Sequence, residues 1–263
     1  EVLNTKVVIG RINMGLLNRI IIDDVLLDDQ SGQEMLKVTR LSAKFDIMPF
    51  FKGKISISSV QLFGFNINLR KETPDSPPNF KFVLDAFASK DTVKKENSLD
   101  LRINSILIRR GRMSYHVLSE EETPGKFNAK HIQLQNIIAN ISLKALSKDS
   151  LNLGIKRLSL DEKASGFSLK KMSLKLVAND KQTNIDNFTI ELPETSLKLD
   201  TIHLEYDSLK AFDRFTEQVH FSFRTLPSQV TLKDISPFVP ILSHFKEPVT
   251  LDMEVKGTVD QLT

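Results

Sequence analysis

The sequence predicts a mainly β fold. The expected architecture is an elongated, bent antiparallel sheet with an apolar interior, a trough, plus two or three short helices. Three observations predict it. The pattern h-x-h-x-x-h-x-h, with h apolar, recurs along most of the chain. The skipped pairs inside the pattern are poor turn formers. Few segments carry helical spacing.

The pattern reads Leu36, Val38, Leu41, Ala43 and again Ile55, Ile57, Val60, Leu62. Leu153, Ile155, Leu158, Leu160 repeat it, as do Phe167, Leu169, Met172, Leu174 and Leu197, Leu199, Ile202, Leu204. At 40% hydrophobic content, chance gives roughly one strict copy in such a chain. Looser copies start at Val7, Ile20, Leu101 and Ile132. On a helix, offsets of two, five and seven point to about 200°, 140° and 340°, which share no face. A strand alternates faces with period two. Each half of the motif fits a strand, and the double skip resets the phase. One extra residue, a β-bulge, does this and bends the strand. A hairpin at the skip is the alternative, but tight turns favour Asn-Gly or Asp-Gly. The skips are Thr39-Arg40, Ser58-Ser59, Lys156-Arg157, Lys170-Lys171 and Asp200-Thr201.

Residues 1–71 read as strands with turns at Asp28 to Gly32, Pro49 and Gly53. Pro-rich residues 72–78 read as a loop. Asn79 then caps a short helix bearing Phe80, Val83, Leu84 and Phe87, and a charged stretch runs over 88–98. Strands resume from Leu99 to Tyr206, broken at Arg110-Gly111, Pro124-Gly125, Lys148-Asp149, Gly166, Asn179-Asp180 and Pro193. Residues 208–215 form a short helix or turn, and Val219 to Leu226 a strand. Asp234 opens a helix to Phe245, with Ile235, Phe238, Leu242 and Phe245 on one face. A last strand runs from Val249 to Val255, ended by Gly257. The expectation is one elongated domain over 1–263. Roughly twelve strands at about 4.8 Å spacing make a sheet about 55 Å long. The predicted helices are too few to cover it. The sheet either closes on itself as a sandwich or leaves an apolar lining open.

Composition narrows the function classes. With 36 Lys+Arg against 33 Asp+Glu the net charge is only +3, and no basic run interleaves with aromatics, so nucleic acid is not an expected partner. Cysteine is absent, which removes disulfides and thiolate metal sites. No stretch approaches the ~18 apolar residues of a membrane span. The chain starts at Glu1 rather than Met and reads as a piece of a longer protein whose anchor is missing. The 17 Phe against two Tyr and no Trp disfavour sugar stacking and favour an apolar ligand or an ordinary core.

No catalytic constellation emerges, and the chain is read as a non-enzyme with no cofactor. The histidines His116, His131, His203, His220 and His244 are scattered, none at ligand spacing, and no metal site is expected. His131 and His203 fall on the polar strand positions and read as solvated. Asp23-Asp24 and Asp28-Asp29 lack a calcium-loop spacing. Arg109, Arg110 and Arg112 read as a solvated turn or as contacts for anionic lipid.

Lys6-Val-Val-Ile-Gly10, Asn18-Arg-Ile-Ile-Ile22-Asp-Asp-Val-Leu-Leu-Asp28-Asp-Gln-Ser-Gly32 and Met35-Leu-Lys-Val-Thr-Arg-Leu41 resemble the N-terminal region of the AsmA-like superfamily. Within it, the likeness is to TamB-type translocation and assembly module proteins of the Bacteroidetes style. Lys54 to Gly64, Asn79 to Phe87, Pro227 to Pro240 and Gly257 to Leu262 continue it. The motifs are degenerate β patterns. The resemblance implies a periplasmic β-taco, anchored in the inner membrane, with roles in outer-membrane assembly and in moving phospholipid between membranes. The N-terminal anchor and the C-terminal part that would meet an outer-membrane assembly protein are expected to lie outside this chain. Ile57, Leu62, Ile106, Leu158, Met172 and Leu174 represent the expected lipid-groove lining. The other expectation is a structural scaffold that pairs client strands at its sheet edges.

Overall fold

Alternating apolar and polar residues put the chain into strands at the positions the pattern marks. In the computed structural model, residues 3–16, 18–46, 57–88, 103–146 and 150–262 are described. Ile55, the motif start at Leu101, the turns at Pro49, Gly53 and Lys148-Asp149, and most of the charged stretch 88–98 lie outside them.

The strands are β1 (Val7–Gly15), β2 (Arg19–Asp28), β3 (Glu34–Phe45) and β4 (Ile57–Lys71). A short helix α1 (Lys81–Ala88) follows, then β5 (Ser105–Val117), β6 (His131–Leu146), β7 (Ser150–Glu162), β8 (Ser168–Asn179), β9 (Gln182–Glu191) and β10 (Ser196–Glu205). A 3-10 turn (Leu209–Arg214) runs into α2 (Phe215–Gln218). The chain finishes with β11 (His220–Thr225), β12 (Ser228–Thr231), β13 (Pro248–Leu251), β14 (Glu254–Thr258) and β15 (Gln261–Leu262). Hydrogen bonding runs in sequence order from β1 to β11, then to β14 and β15, while β12 pairs with β10 and β13. The fold is mainly β and mostly antiparallel, and the sheet does not close into a barrel.

One pair departs from the expected meander. β4 and β5 are parallel, from Ser59↔Ser105 to Lys71↔Val117. Parallel neighbours need a crossover of about a dozen residues or more, and the segment 72–104 with α1 supplies it. The Asn79 side chain does not cap α1. It accepts from the Arg70 N–H (3.0 Å) and donates to the Asn68 carbonyl (3.0 Å) and to Asp29 (3.1 Å).

All five skip pairs lie inside strands, so none is a hairpin turn. They are not all bulges either. Val25↔Val38 and Asp23↔Arg40 share one register across Asp24 and Thr39. Val38↔Phe65 and Arg40↔Phe63 do the same across Thr39 and Gly64. Ile9↔Val25 and Arg11↔Asp23 do so across Gly10 and Asp24. Both partners therefore carry the extra residue, and neighbouring strands change phase at one row. Asp24, Gly64 and Arg110 in that row have φ of 57°, 64° and 56°, and Asn136 on β6 has 55°. A left-handed residue turns the chain over without breaking the ladder. One-sided register shifts occur where a partner lacks the insertion. Ser58 is extra against Lys44 and Phe45, and Asp200-Thr201 against β11. At β8 and β9 the shift lies between Ser173 and Lys175, not at Lys170-Lys171. The expected break at Arg110-Gly111 is the same phase change within an unbroken β5.

The chain divides into two compact units, Glu1–Ile138 with Leu160–Gly166, and Ala139–Ser159 with Phe167–Thr263. In the first, Val38, Phe65 and Ile137 are buried, and Val25, Leu36, Leu41, Leu62, Ile67, Ile108, Met113, Leu134 and Leu160 pack around them. In the second, Tyr206, Ala211 and the fully buried Val219 form a cluster with Leu204. The Tyr206 hydroxyl donates to the Asn179 carbonyl (2.8 Å) and lies 3.0 Å from Thr183 Oγ1. The expected helix over 234–245 is replaced by two 3-10 turns, Leu232–Ile235 and Pro240–His244. Pro237 and Pro240 lack N–H donors and interrupt an α-helical ladder. The last expected strand is split into β13 and β14, and Gly257 lies within β14 rather than ending it.

Candidate functional site

The apolar positions of β1 to β6 point to one face of the first unit, and most of that face is only half covered. Val38, Phe65 and Ile137 form its buried centre and Leu27 and Val117 are buried too, while the nine residues packed around the centre are partly open. At the edge, the motif residues of β1 are open: Val7 is 47%, Ile9 49%, Ile12 61% and Met14 71% exposed. β1 pairs only with β2 among the described strands, so one of its ladder edges is unpaired.

The six residues named for the lining are all half-buried. Ile57 and Leu62 on β4 and Ile106 on β5 belong to the first unit, where Val60↔Ile106 and Leu62↔Ile108 set neighbouring rows. Leu62 packs against the buried core. Leu158 on β7 and Met172 and Leu174 on β8 belong to the second unit. Met172 pairs with Ile190, and Leu174 sits at the register shift between Ser173 and Lys175.

The opposite face of the first unit is polar. Across the phase-change row it carries a cleft of ≈ 990 Å³ lined by Arg11, Asp23, Arg40, Gln61, Phe63 and Arg109, among others. Arg40 donates to both Asp23 oxygens, at 2.6 and 3.3 Å. That hydrogen bond holds the Asp23 carboxyl below the usual carboxylate range. Arg110 stacks over the Phe63 ring at 5.2 Å. The arginines expected in a solvated turn therefore lie on β5, Arg110 in the phase-change row and Arg109 and Arg112 beside it.

Two buried carboxylates fix the turns at the ends of this face. Asp29, 2% exposed, accepts from Ser31 Oγ (2.7 Å) and from the backbone N–H of Ser31 (3.0 Å) and Gln33 (3.1 Å), and pairs with Arg70 at 2.6 Å. Burial pushes its carboxyl up, but the hydrogen bonds and Arg70 outweigh this and hold it below its ordinary value. Glu162, also 2% exposed, accepts from the backbone N–H of Gln133 (3.0 Å), Ala164 (3.2 Å) and Ser165 (2.6 Å). Burial again pushes up, and the Ser165 hydroxyl and these N–H groups bring the net shift down. The reading of Asp28-Asp29 as turn chemistry holds at Asp29.

One expectation is overturned among the histidines. His131 is 6% exposed rather than solvated, and its ring meets His116. Fourteen residues separate the two, and only the pairing of β5 with β6 brings them together, so spacing alone carries no signal. His203 is half-buried, bound to Asn184 (2.6 Å) and Glu205 (2.9 Å).

No protein-family model and no curated protein matches the chain. No helix among the described residues is long and apolar enough to cross a membrane, which leaves strand-based crossing untouched.

Proposed function

We propose that this chain is a non-enzymatic segment that holds phospholipid acyl chains on its apolar sheet face. In this reading it is the periplasmic part of an inner-membrane-anchored bridge to the outer membrane, as the resemblance to TamB-type proteins implies. The observation that carries the proposal is the half-open apolar face of the first unit, exposed most fully along β1. Water contact over such a face is costly, and each methylene buried against it contributes about 0.8 kcal/mol. Head groups stay in solvent, so neither face needs a catalytic group.

The test is photocrosslinking. A photoreactive amino acid at Ile57, Leu62 or Ile106 should capture acyl chains in membranes, and the same probe at Arg40, on the polar face, should not. Equal capture on both faces would sink the reading.

The unpaired edge of β1 favours a second reading, a scaffold that pairs client strands by β-augmentation. A proline at Ile12 would block such pairing yet leave the apolar face of β2 to β6 in place.

A further inference from the structure

β5 ends and β6 begins around the connection 118–130, and two histidines face each other at its base. His116 Nδ1 and His131 Nδ1 lie 3.0 Å apart, with ring centroids 5.3 Å apart. Glu122 reaches back from the connection, with Oε1 4.0 Å from His116 Nδ1. The three ligand atoms all lie within 4.8 Å of one another.

The tautomer of His131 follows from its outer nitrogen. Nε2 is 2.9 Å from the Glu120 backbone carbonyl. A carbonyl only accepts, so Nε2 of the neutral ring carries the proton and Nδ1 presents its lone pair inward. Metal-binding histidines are held this way, with one nitrogen bonded to a carbonyl and the other free to ligate. Without a metal, His116 Nδ1–H satisfies that lone pair. With one, His116 moves its proton to Nε2, and both Nδ1 atoms face the ion.

The connection is anchored before any ligand arrives. Glu120 N–H donates to the Val117 carbonyl (3.0 Å), Lys130 N–H to Asn128 Oδ1 (2.9 Å), and Asn128 Nδ2 to the Glu121 carbonyl (3.0 Å). Leu118 N–H and Ser119 N–H donate to the carbonyls of Lys71 (2.9 Å) and Glu72 (3.0 Å). His131 is buried, while Glu122 is exposed and leaves a side open for entry and for a water.

We infer that His116, Glu122 and His131 form a three-ligand site for a zinc-class divalent transition metal, with water in the fourth position. Zinc bonds of about 2.0–2.1 Å set tetrahedral nitrogens about 3.3 Å apart, so the two rings need part by only about 0.3 Å. Two imidazoles and one carboxylate suit zinc rather than magnesium or calcium, which favour all-oxygen shells. A bound ion ties the 118–130 connection to the ends of β5 and β6.

The test uses the untagged, chelator-treated 263-residue chain. Calorimetry should show saturable one-to-one Zn2+ binding, and thermal denaturation a rise in Tm with Zn2+ but not with Mg2+ or Ca2+. Co2+ should give the intense visible absorption of a four-coordinate site. His116→Gln should lose the binding, the Tm rise and the band, and Glu122→Gln should weaken all three. His116 is only half-buried, and circular dichroism of its variant reports whether the fold is kept. No Zn2+ effect on the wild-type chain would overturn the site. So would unchanged binding in a folded His116→Gln chain.

Discussion

Thr39 on β3 stands opposite Gly64 on β4 in the row where neighbouring strands change phase together, and the Thr39 hydroxyl donates to the Gly64 carbonyl at 3.1 Å. A Cβ on Gly64 would lie 2.7 Å from Thr39 Oγ1, and the φ of +64° already disfavours any side chain. Gly64→Ala should therefore destabilise the chain by about 1–3 kcal/mol. Gly32→Ala is the control, since Gly32 has φ +78° but nothing within 4 Å. It should cost only the strain, about 1 kcal/mol. Urea denaturation of the two variants checks the difference.

Gly111, one residue beyond the left-handed Arg110, leaves room for the Phe65 ring. A Cβ there would meet Phe65 at 2.4 Å and Ile137 at 3.0 Å, both at the buried centre of the first unit. Gly111→Ala should cost about 1–3 kcal/mol by overpacking. Phe65→Leu in the same chain should recover part of that loss, and a double-mutant cycle measures the coupling.

The carboxyls of Asp29 and Glu162 both lie below their ordinary values in the fold. A carboxyl depressed on folding adds stability that is fully present above its unfolded pKa, about 3.9 for Asp and 4.3 for Glu. That stability is lost as pH falls through the folded value. The urea midpoint should hold from pH 7 to about 5 and then drop with acid. Asp29→Asn leaves Arg70 without its buried partner and should cost about 3–5 kcal/mol at pH 7. The same variant should flatten the acid drop.

Much of the fold was legible because strands write their faces into the sequence with period two. Seven of the nine apolar residues around Val38, Phe65 and Ile137 fall at motif positions; Ile67 and Met113 do not. The skips were legible as phase changes aligned from strand to strand, but not as insertions carried by both partners of a pair. Whether Thr39 meets Gly64 or an ordinary residue depends on the register between distant strands. The parallel pairing of β4 and β5 was hidden because a crossover through 72–104 and a long hairpin loop share one composition. Helical spacing misled at 234–245, where the missing N–H groups of Pro237 and Pro240 outweigh the apolar stripe. His116 and His131 left no trace in spacing, since strand pairing alone joins them.

Charge on the apolar face separates the two functional readings. Ile106→Glu and Leu62→Glu should abolish lipid capture, since a carboxylate among apolar groups also repels acyl chains. Both residues are half-buried, so the fold should survive, with some loss of stability. A proline at Ile12 should leave capture nearly intact, because it acts on the β1 edge. No lipid on any variant, with client protein crosslinked at the β1 edge and lost with the edge proline, would favour the scaffold. Crosslinked lipid on each variant, normalised to folded protein, is the measurement.

The most direct measurement is native mass spectrometry of the chain purified from membranes in a mild detergent, paired with lipid extraction. The proposal predicts bound phospholipid in the spectrum, recovered by extraction and lost from Ile106→Glu. A spectrum of bare protein, or phospholipid equally abundant on the wild-type and Ile106→Glu chains, would contradict it.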